Sequence, residues 1–208
     1  SARREVLADR EIGGRGVRGI GDEGNQLAGV AKRIAELPKL RHLLLANNQL
    51  LRVATAAVIL GTGGTIAGQS ARAGDNVGYV AGQVSVADLV GAVPLLHGLP
   101  LDVEQVAQLD SKDMGFAVWK ALAARVAFHL ERPEVAGIVI THGTDTMEET
   151  ATFLELVCGG YSNNLGKKVV LTGSMLPSDH PEADGPRNLS AAIEFAGEGG
   201  GPGGVWAV

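Results

Sequence analysis

The stretch "VITHGTDTMEET", residues 139–150, changes character three times within a few residues. An apolar run ends at Gly143, the pair Thr144 and Asp145 follows, and Glu148 and Glu149 open the next segment. Apolar β-branched residues favour a buried strand, and acidic residues favour the first turn of a helix. The stretch therefore predicts a strand, a tight turn with polar side chains, and a helix.

The helix start explains part of this pattern. Thr146 and Glu149 have the spacing of a capping box, in which the Thr146 side chain caps the helix that begins at Met147. Glu148 and Glu149 favour the positive end of the helix dipole, so we interpret both as structural. Thr144 and Asp145 precede the cap, and two interpretations stay open for them: turn-stabilising side chains or groups of a functional site.

The alternation of strands and helices extends outward from this stretch, from residue 56 to the end of the chain. The predicted strands are 56–61, 103–109, 137–141, 168–172 and 205–208, and the predicted helices are 86–93, 116–131, 147–158 and 188–195. Such alternation predicts an α/β fold with a doubly wound, mostly parallel sheet and helices on both faces.

Four predicted strands end in loops with glycine, hydroxyl or charged residues. The loops are GTGGTIAG (61–68), LDSKDM (109–114), THGTDT (141–146) and TGSM (172–175). In a parallel sheet the carboxyl ends of all strands meet at one edge, where ligands bind. The sequence therefore predicts one site at this edge.

The glycine-rich loop 61–68 fits a phosphate cradle poorly. It lacks the Gly-Lys-Ser/Thr of a P-loop, and Ile66 occupies the third glycine position of a dinucleotide fingerprint that Gly61 and Gly63 begin. A nucleotide-binding α/β domain is therefore the weaker alternative. Thr65 places a hydroxyl on this turn, and a threonine can act as a nucleophile when its deprotonation is assisted.

Composition excludes several classes of protein. The chain has 208 residues, of which 45% are apolar and 20% are charged, as in one globular domain with an appendage. Its net charge of −5 argues against a nucleic-acid or anionic-membrane partner. Cys158 is the one cysteine, so no internal disulfide is possible, and we expect a reducing, cytoplasmic location.

We also expect no metal and no cofactor, because the five histidines show no ligand-like pairing with one another or with Cys158. His142 is interpreted as a packing or hydrogen-bonding residue behind the turn. Cys158 is interpreted as a small core residue.

Two long motifs, GTGGTIAG and ITHGTDTMEETA, closely resemble those of the bacterial-type L-asparaginase (asparaginase/glutaminase) family. The segments SKDM, TGSMLP and ADGPRNL resemble that family in the same order and at similar spacing. The resemblance covers residues 56–208 and implies an asparaginase N-terminal domain. It implies hydrolysis of L-asparagine to L-aspartate and ammonia through a threonine acyl-enzyme, with L-glutamine as a second substrate and a homotetrameric assembly of the full-length chain.

The resemblance also implies a role for each matching residue. Thr65 would attack the amide carbon, and Tyr79 would be the lid tyrosine that hydrogen-bonds it. Thr144 would position water or the substrate amide, and Asp145 would join the proton relay and hold the α-amino group. Backbone N–H groups of the two glycine turns, with Thr144, would stabilise the oxyanion. The implied substrate-binding residues are Gly64, Ser111 (for the α-carboxylate), Lys112, Gly143 and Ser174.

Two departures from the family bear on activity. Lys112 stands where better-known members carry Gln or Glu near the α-amino group; turned inward, it would repel that ammonium, so the preference between asparagine and glutamine stays open. The family completes the Thr-Asp group with a lysine on a later loop, and no lysine here matches it. We therefore expect sequence beyond Val208 and low or no activity of these residues alone. The alternative is an inactive relative that binds small amino acids or a protein partner.

Residues 1–52 differ from the rest. Residues 16–50 weakly resemble one leucine-rich repeat, with Leu40, Leu43, Leu45, Asn48 and Leu50 in register, and a single repeat does not stack into a stable core. We predict that 1–52 form an extension, repeat-like or poorly ordered, and that 53–208 form the asparaginase-like domain, incomplete at its C-terminus.

Overall fold

The computed structural model describes residues 57–70, 78–198 and 201–208. The predictions for the extension 1–52, including the repeat-like segment, lie outside the described residues, as does the domain boundary at residue 53. Both remain predictions.

Strands and helices alternate along the described chain, as predicted. The strands are β1 (Ala57–Gly63), β2 (Gln69–Ser70), β3 (Tyr79–Val80), β4 (Leu101–Leu109), β5 (Gly137–Thr141), β6 (Lys168–Thr172) and β7 (Gly204–Ala207). The helices are α1 (Val86–Gly91), α2 (Phe116–Glu131), α3 (Met147–Leu154), α4 (Gly160–Leu165) and α5 (Gly185–Gly197), with a π-helical turn at Glu155–Gly159 between α3 and α4.

The main sheet has five parallel strands in the order β4-β1-β5-β6-β7. After β1 the chain moves to one side of that strand to form β4, and it then returns to the other side to form β5. The order therefore reverses between β1 and β5. In open α/β sheets the crevice at such a reversal is the place where ligands bind, beyond the carboxyl ends of the strands.

Both faces of the sheet are covered, because side chains along a strand point to alternate faces. On one face, Val58 and Leu60 of β1 pack with apolar residues of α2 and α3. On the other face, Ala57 and Ile59 pack with α1 and α5. All residues of β1, β5 and β6 are buried. The predicted α/β fold with a doubly wound parallel sheet is confirmed.

Cys158 is buried in the core on the α2 and α3 face, as predicted, and burial raises the pKa of its thiol. Among the described residues, no helix combines the length and the apolar character needed to cross a membrane.

The predicted helix 147–158 is wrong in its second half, because α3 stops at Leu154 and a π-helical turn follows. In this turn the Glu155 side chain folds over Gly159, where an added Cβ would lie 2.3 Å from the Glu155 carboxyl group. The Glu155 carboxylate accepts a hydrogen bond from the Val205 backbone N–H of β7, at 3.0 Å. The π-helical turn thus places the Glu155 carboxylate beside β7, the last strand.

Two other helices differ from prediction at their ends. Helix α5 begins at Gly185 rather than at residue 188, because Pro186 is accepted in a first helical turn. Helix α1 ends at Gly91 rather than at residue 93, since Pro94 disfavours a helical conformation at the residue before it.

Candidate active site

Thr65 lies where β1 ends in a turn that only glycine adopts without strain. Gly63 and Gly64 have φ angles of 107° and 78°, and the chain then forms a single 3₁₀ turn over Thr65–Ala67. The Thr65 side chain is nearly buried, with 9% relative exposure. Its Oγ1 lies 2.8 Å from the hydroxyl oxygen of Tyr79, so the two groups share a hydrogen bond.

Tyr79 reaches Thr65 from a two-stranded antiparallel ribbon formed by β2 and β3. Gly68 precedes this ribbon, and a Cβ on Gly68 would lie 2.7 Å from Cδ2 of the Tyr79 ring. The absence of a side chain at Gly68 therefore lets the ring lie against the backbone. After the ribbon the chain lies against the Thr65 loop again, where the backbone N–H of Gly82 donates to the Gly64 carbonyl at 3.1 Å.

The loops after β1 and β5 are in backbone contact. A Cβ on Gly64 would lie 2.3 Å from the backbone nitrogen of Gly143, and a Cβ on Gly143 would lie 2.4 Å from Oγ of Ser111. Three of the four predicted loops thus meet at two glycines. The Gly64 N–H donates to the Leu109 carbonyl at 2.9 Å, so this glycine allows the close approach of the loops while its own N–H is already paired.

Thr144 and Asp145 are exposed on the 3₁₀ turn Thr144–Thr146. Ser111, which is buried, fixes this turn from below: its Oγ accepts from the Asp145 N–H at 3.2 Å. Thr146 donates its hydroxyl to the Ser111 carbonyl at 2.8 Å. The predicted capping box is therefore wrong. Thr146 precedes α3, but its side chain joins two loops instead of capping the helix.

A buried chain of hydrogen bonds supports the same turn from behind. The Trp119 indole donates to Thr150 Oγ1 at 2.9 Å, Thr150 Oγ1 lies 2.9 Å from Nε2 of His142, and Nδ1 of His142 lies 2.7 Å from the Gly143 carbonyl. A carbonyl only accepts, so Nδ1 carries the proton and Nε2 accepts from Thr150.

The imidazole of His142 is fully buried. Burial lowers the pKa of His142, although the hydrogen bond to the Gly143 carbonyl and the charge of Glu149 oppose this change. The ring is therefore neutral, as the hydrogen-bond directions require. The interpretation of His142 as a hydrogen-bonding residue behind the turn agrees with this arrangement.

The loop after β6 adds Ser174, which is buried and donates its hydroxyl to the Leu176 carbonyl at 2.7 Å. A Cβ on Gly173 would lie 2.7 Å from the His142 carbonyl oxygen and 3.5 Å from Cγ2 of Thr144. This loop therefore adjoins the Thr144 turn, and the Ser174 side chain lies inside the loop rather than on its surface.

The Lys112 side chain lies at the protein surface. Its ammonium group forms ion pairs with the carboxylates of Asp110 and Asp113, the second at 3.4 Å, and 62% of its side chain is exposed. The hydrogen bond with Asp110 is the main cause that raises the pKa of Lys112. The Lys112 ammonium group is therefore exposed and paired with two neighbouring carboxylates.

Several contacts of the site escaped the sequence motifs. The chain from Trp119 to His142 joins residues of α2, α3 and the turn, and Asp184 accepts from the Met175 and Leu176 backbone N–H groups at 3.2 and 3.0 Å. One sequence signal could have pointed to the buried hydrogen bonds. His142 directly follows an apolar strand, and a polar side chain buried there needs hydrogen-bond partners.

Comparisons with a family profile, with curated proteins and with a solved structure all identify the same family. The profile described as "Asparaginase, N-terminal" matches residues 56–208. The "Probable L-asparaginase periplasmic" of Haemophilus influenzae is 44% identical over 141 residues, which are 67% of this chain and 38% of that protein. The "Glutaminase-asparaginase" of Acinetobacter glutaminasificans is 44% identical over 140 residues, 67% of this chain and 41% of that protein.

A solved structure, that of the probable cytoplasmic L-asparaginase from Campylobacter jejuni, superposes with a TM-score of 0.63 at 40% identity. The match covers 72% of this chain and 45% of that one. The match thus spans less than half the length of each of these relatives. The matched profile covers nearly three quarters of the chain and includes both threonine-bearing loops, so this protein belongs to the asparaginase family, through the family's N-terminal domain.

Proposed function

We propose that the site carries the nucleophile half of an amidohydrolase that converts L-asparagine to L-aspartate and ammonia. The observation that supports the proposal most is the 2.8 Å contact between Thr65 Oγ1 and the Tyr79 hydroxyl, on a loop in backbone contact with the Thr144 turn. A free threonine hydroxyl is a weak nucleophile and needs a partner that accepts its proton. The Tyr79 phenol both donates and accepts, so it can serve as that partner.

In the first step, Thr65 Oγ bonds to the carbon of the substrate's side-chain amide, and the Thr65 proton passes through Tyr79 toward the leaving nitrogen. The carbon–nitrogen bond breaks, ammonia leaves, and an ester of Thr65 remains. In the second step, a water held by Thr144 attacks this ester. Its oxygen becomes part of the new carboxylate. One of its two protons restores the Thr65 hydroxyl, and the other passes to solvent.

The remaining residues orient the substrate in this proposal. The carboxylate of Asp145 is exposed at the rim and complements a substrate ammonium group. Ser111 and the backbone of Gly143 shape the floor that receives the α-carboxylate. Since Lys112 is paired with two carboxylates outside this floor, we propose that it does not repel the ammonium.

Substitution of the nucleophile tests this proposal. We expect Thr65→Ala to lower ammonia release from L-asparagine by about 10³-fold or more, because losing a covalent nucleophile removes that route entirely. The matched control is Thr152→Ala, which removes an exposed hydroxyl from α3. Unchanged turnover in Thr65→Ala would refute the nucleophile assignment.

The test is made on the 208-residue chain and on a longer protein that contains it. L-asparagine binding by calorimetry without ammonia release in either protein would favour the alternative, an inactive amino-acid-binding relative.

L-Glutamine is the second substrate that we propose, because three curated relatives are named glutaminase-asparaginase. The two substrates differ by one methylene, which changes kcat/KM by about 10- to 200-fold in a shaped pocket. Parallel ammonia assays with both substrates measure this preference.

We further propose a cytoplasmic location and a homotetrameric assembly of the longer protein. One relative is described as cytoplasmic and another as periplasmic, so cell fractionation decides the first proposal. Light scattering on the longer protein decides the second.

A further inference from the structure

The loop between β6 and α5 grips the ribbon that carries Tyr79. Both the backbone N–H and the hydroxyl of Ser178 donate to the Gly68 carbonyl, at 2.9 and 2.7 Å. The next residue, Asp179, accepts a hydrogen bond from the Ser70 N–H on its Oδ2 at 3.0 Å. We call these two residues the ribbon clamp. Their hydrogen bonds join segments about 110 positions apart in the sequence.

The ribbon clamp acts on the backbone that adjoins both reacting hydroxyls. Gly68 donates its N–H to the Thr65 carbonyl at 2.8 Å, and its Cα faces the Tyr79 ring. Ser70 pairs with Tyr79 across the antiparallel ribbon. A shift of the β2 backbone at Gly68 or Ser70 therefore moves the Tyr79 ring relative to the Thr65 side chain.

The ribbon clamp is itself anchored. Asp184, directly before α5, accepts hydrogen bonds from the backbone N–H groups of Met175 and Leu176, and Asn188 donates to the Gly173 carbonyl at 3.0 Å. Burial by itself raises the pKa of Asp184. The backbone hydrogen bonds, and a second one that Asn188 donates to Asp184 Oδ2 at 3.1 Å, together hold this pKa below its usual range. The carboxylate stays ionised near neutral pH, so the loop is tied to a helix of the main core.

We propose that Ser178 and Asp179 are positioning residues that hold Tyr79 against the nucleophile Thr65. The inference rests on the proposed function, since it assigns the ribbon clamp to the contact that activates Thr65. Neither residue touches the Thr65 or Tyr79 side chain in any hydrogen bond of the described chain; they act through Gly68 and Ser70.

The experiment compares Asp179→Ala with Asp179→Asn, which keeps an oxygen acceptor for the Ser70 N–H. Ser178→Ala and Ser178→Thr form a second pair, in which threonine keeps the hydroxyl. Glu182→Ala is the charge control, because it removes one exposed carboxylate from the same loop. Thermal unfolding of every variant checks that the domain is folded.

Two readouts separate positioning from a local structural role. The first is hydrogen exchange at the Ser70 amide by NMR, which reports the hydrogen bond itself. The second is acylation of Thr65 by the p-nitrophenyl β-ester of L-aspartate: Thr65 Oγ bonds to the β-carbonyl carbon, the bond to nitrophenolate breaks, and the Thr65 proton passes through Tyr79 to solvent. Nitrophenolate leaves as an anion and needs no proton. The acylation rate therefore reports the attack by Thr65 and not the protonation of a leaving amine.

We expect Asp179→Ala and Ser178→Ala each to accelerate Ser70 exchange and to slow Thr65 acylation by about fivefold, since each loses about one hydrogen bond. Asp179→Asn, Ser178→Thr and Glu182→Ala should stay within about twofold of wild type. Faster Ser70 exchange with unchanged acylation in the alanine variants would overturn the inference. So would loss of acylation in Asp179→Asn equal to that in Asp179→Ala.

Failure of the proposed function gives a different result. In that case Thr65→Ala leaves the ester-derived adduct and ammonia release unchanged, whatever the variants at Ser178 and Asp179 do. If acylation requires Thr65 but ignores the ribbon clamp, the proposed function stands and only the inference of positioning is lost.

Discussion

The two threonine-bearing loops are held by different means. The Thr144 turn rests on a buried chain of hydrogen bonds that runs from Trp119 through Thr150 to His142. The Thr65 loop depends instead on close backbone approach at Gly64 and on hydrogen bonds from a distant loop at Gly68. Burial makes the first support rigid and specific, because a buried polar group that loses its partner cannot form a hydrogen bond with water instead, which costs free energy. The second support leaves Tyr79, the hydrogen-bond partner of Thr65, on a short ribbon.

The largest effect that we expect tests the backbone contact between the two loops. Gly64→Ala combines a φ angle of 78° with a Cβ only 2.3 Å from the Gly143 nitrogen, and neither backbone segment has a side chain that can yield. We expect the free energy of unfolding to fall by about 3 kcal/mol or more.

The matched control is Gly160→Ala, a helical position where a Cβ would meet nothing within 4 Å. Its free energy of unfolding should rise by up to about 1 kcal/mol. Urea unfolding measures both variants, and an equal response would show that the loops are not in contact.

The next effect tests the buried chain behind Thr144. Thr150→Val keeps the shape of the side chain but removes the hydroxyl, leaving Nε2 of His142 and the Trp119 indole without their shared partner. We expect a loss of about 2 kcal/mol in the free energy of unfolding.

Thr150→Ser keeps the hydroxyl and should lose about 1 kcal/mol or less. Nitrogen NMR of the His142 ring should show the proton on Nδ1 in the wild type. A proton on Nε2 would contradict the direction of the chain.

A smaller effect concerns pH. Burial lowers the pKa of His142 below the value of about 6.5 that histidine has in an unfolded chain. The unfolded state therefore binds more protons than the folded state as pH falls below 6.5. The contribution of His142 to stability is complete above that pH and is lost toward the lower folded pKa.

We expect the free energy of unfolding to fall by at most about 1.4 kcal/mol per pH unit through His142 between pH 6.5 and 5. His142→Gln, which lacks a titrating ring, should show a flatter profile over the same range. Unfolding curves measured at several pH values provide the check, and parallel profiles would show that the ring titrates normally.

The smallest effect contrasts an exposed pair with these buried contacts. Lys112→Ala removes ion pairs that are screened by solvent, so we expect no stability change beyond the error of urea unfolding, at low or at high salt. Binding of L-aspartate, measured by calorimetry, should change little, because the Lys112 ammonium group is already paired with two carboxylates. A tenfold change in affinity would place Lys112 within the site.

Predictions from the sequence were more accurate for the fold than for the details of the site. Helix α2 was predicted with both its ends, since Trp119, Leu122, Val126 and Leu130 mark one apolar stripe. The predicted capping box at Thr146 was wrong although its residue spacing was correct. The Thr146 hydroxyl forms its hydrogen bond with a carbonyl that the tertiary structure brings nearby. The Ser111 carbonyl belongs to another loop, and no local pattern announces it.

The sequence by itself determined the alternation of strands and helices, the four loops at one edge of the sheet, and the family, because each depends on local periodicity or on contiguous motifs. Only the tertiary structure decided which strand neighbours which, and hence that the order reverses between β1 and β5. It also decided that Gly64 touches Gly143, that His142 is held by Thr150, and that Ser178 and Asp179 reach the ribbon. These contacts join residues far apart in the chain, and their directions depend on packing rather than on spacing.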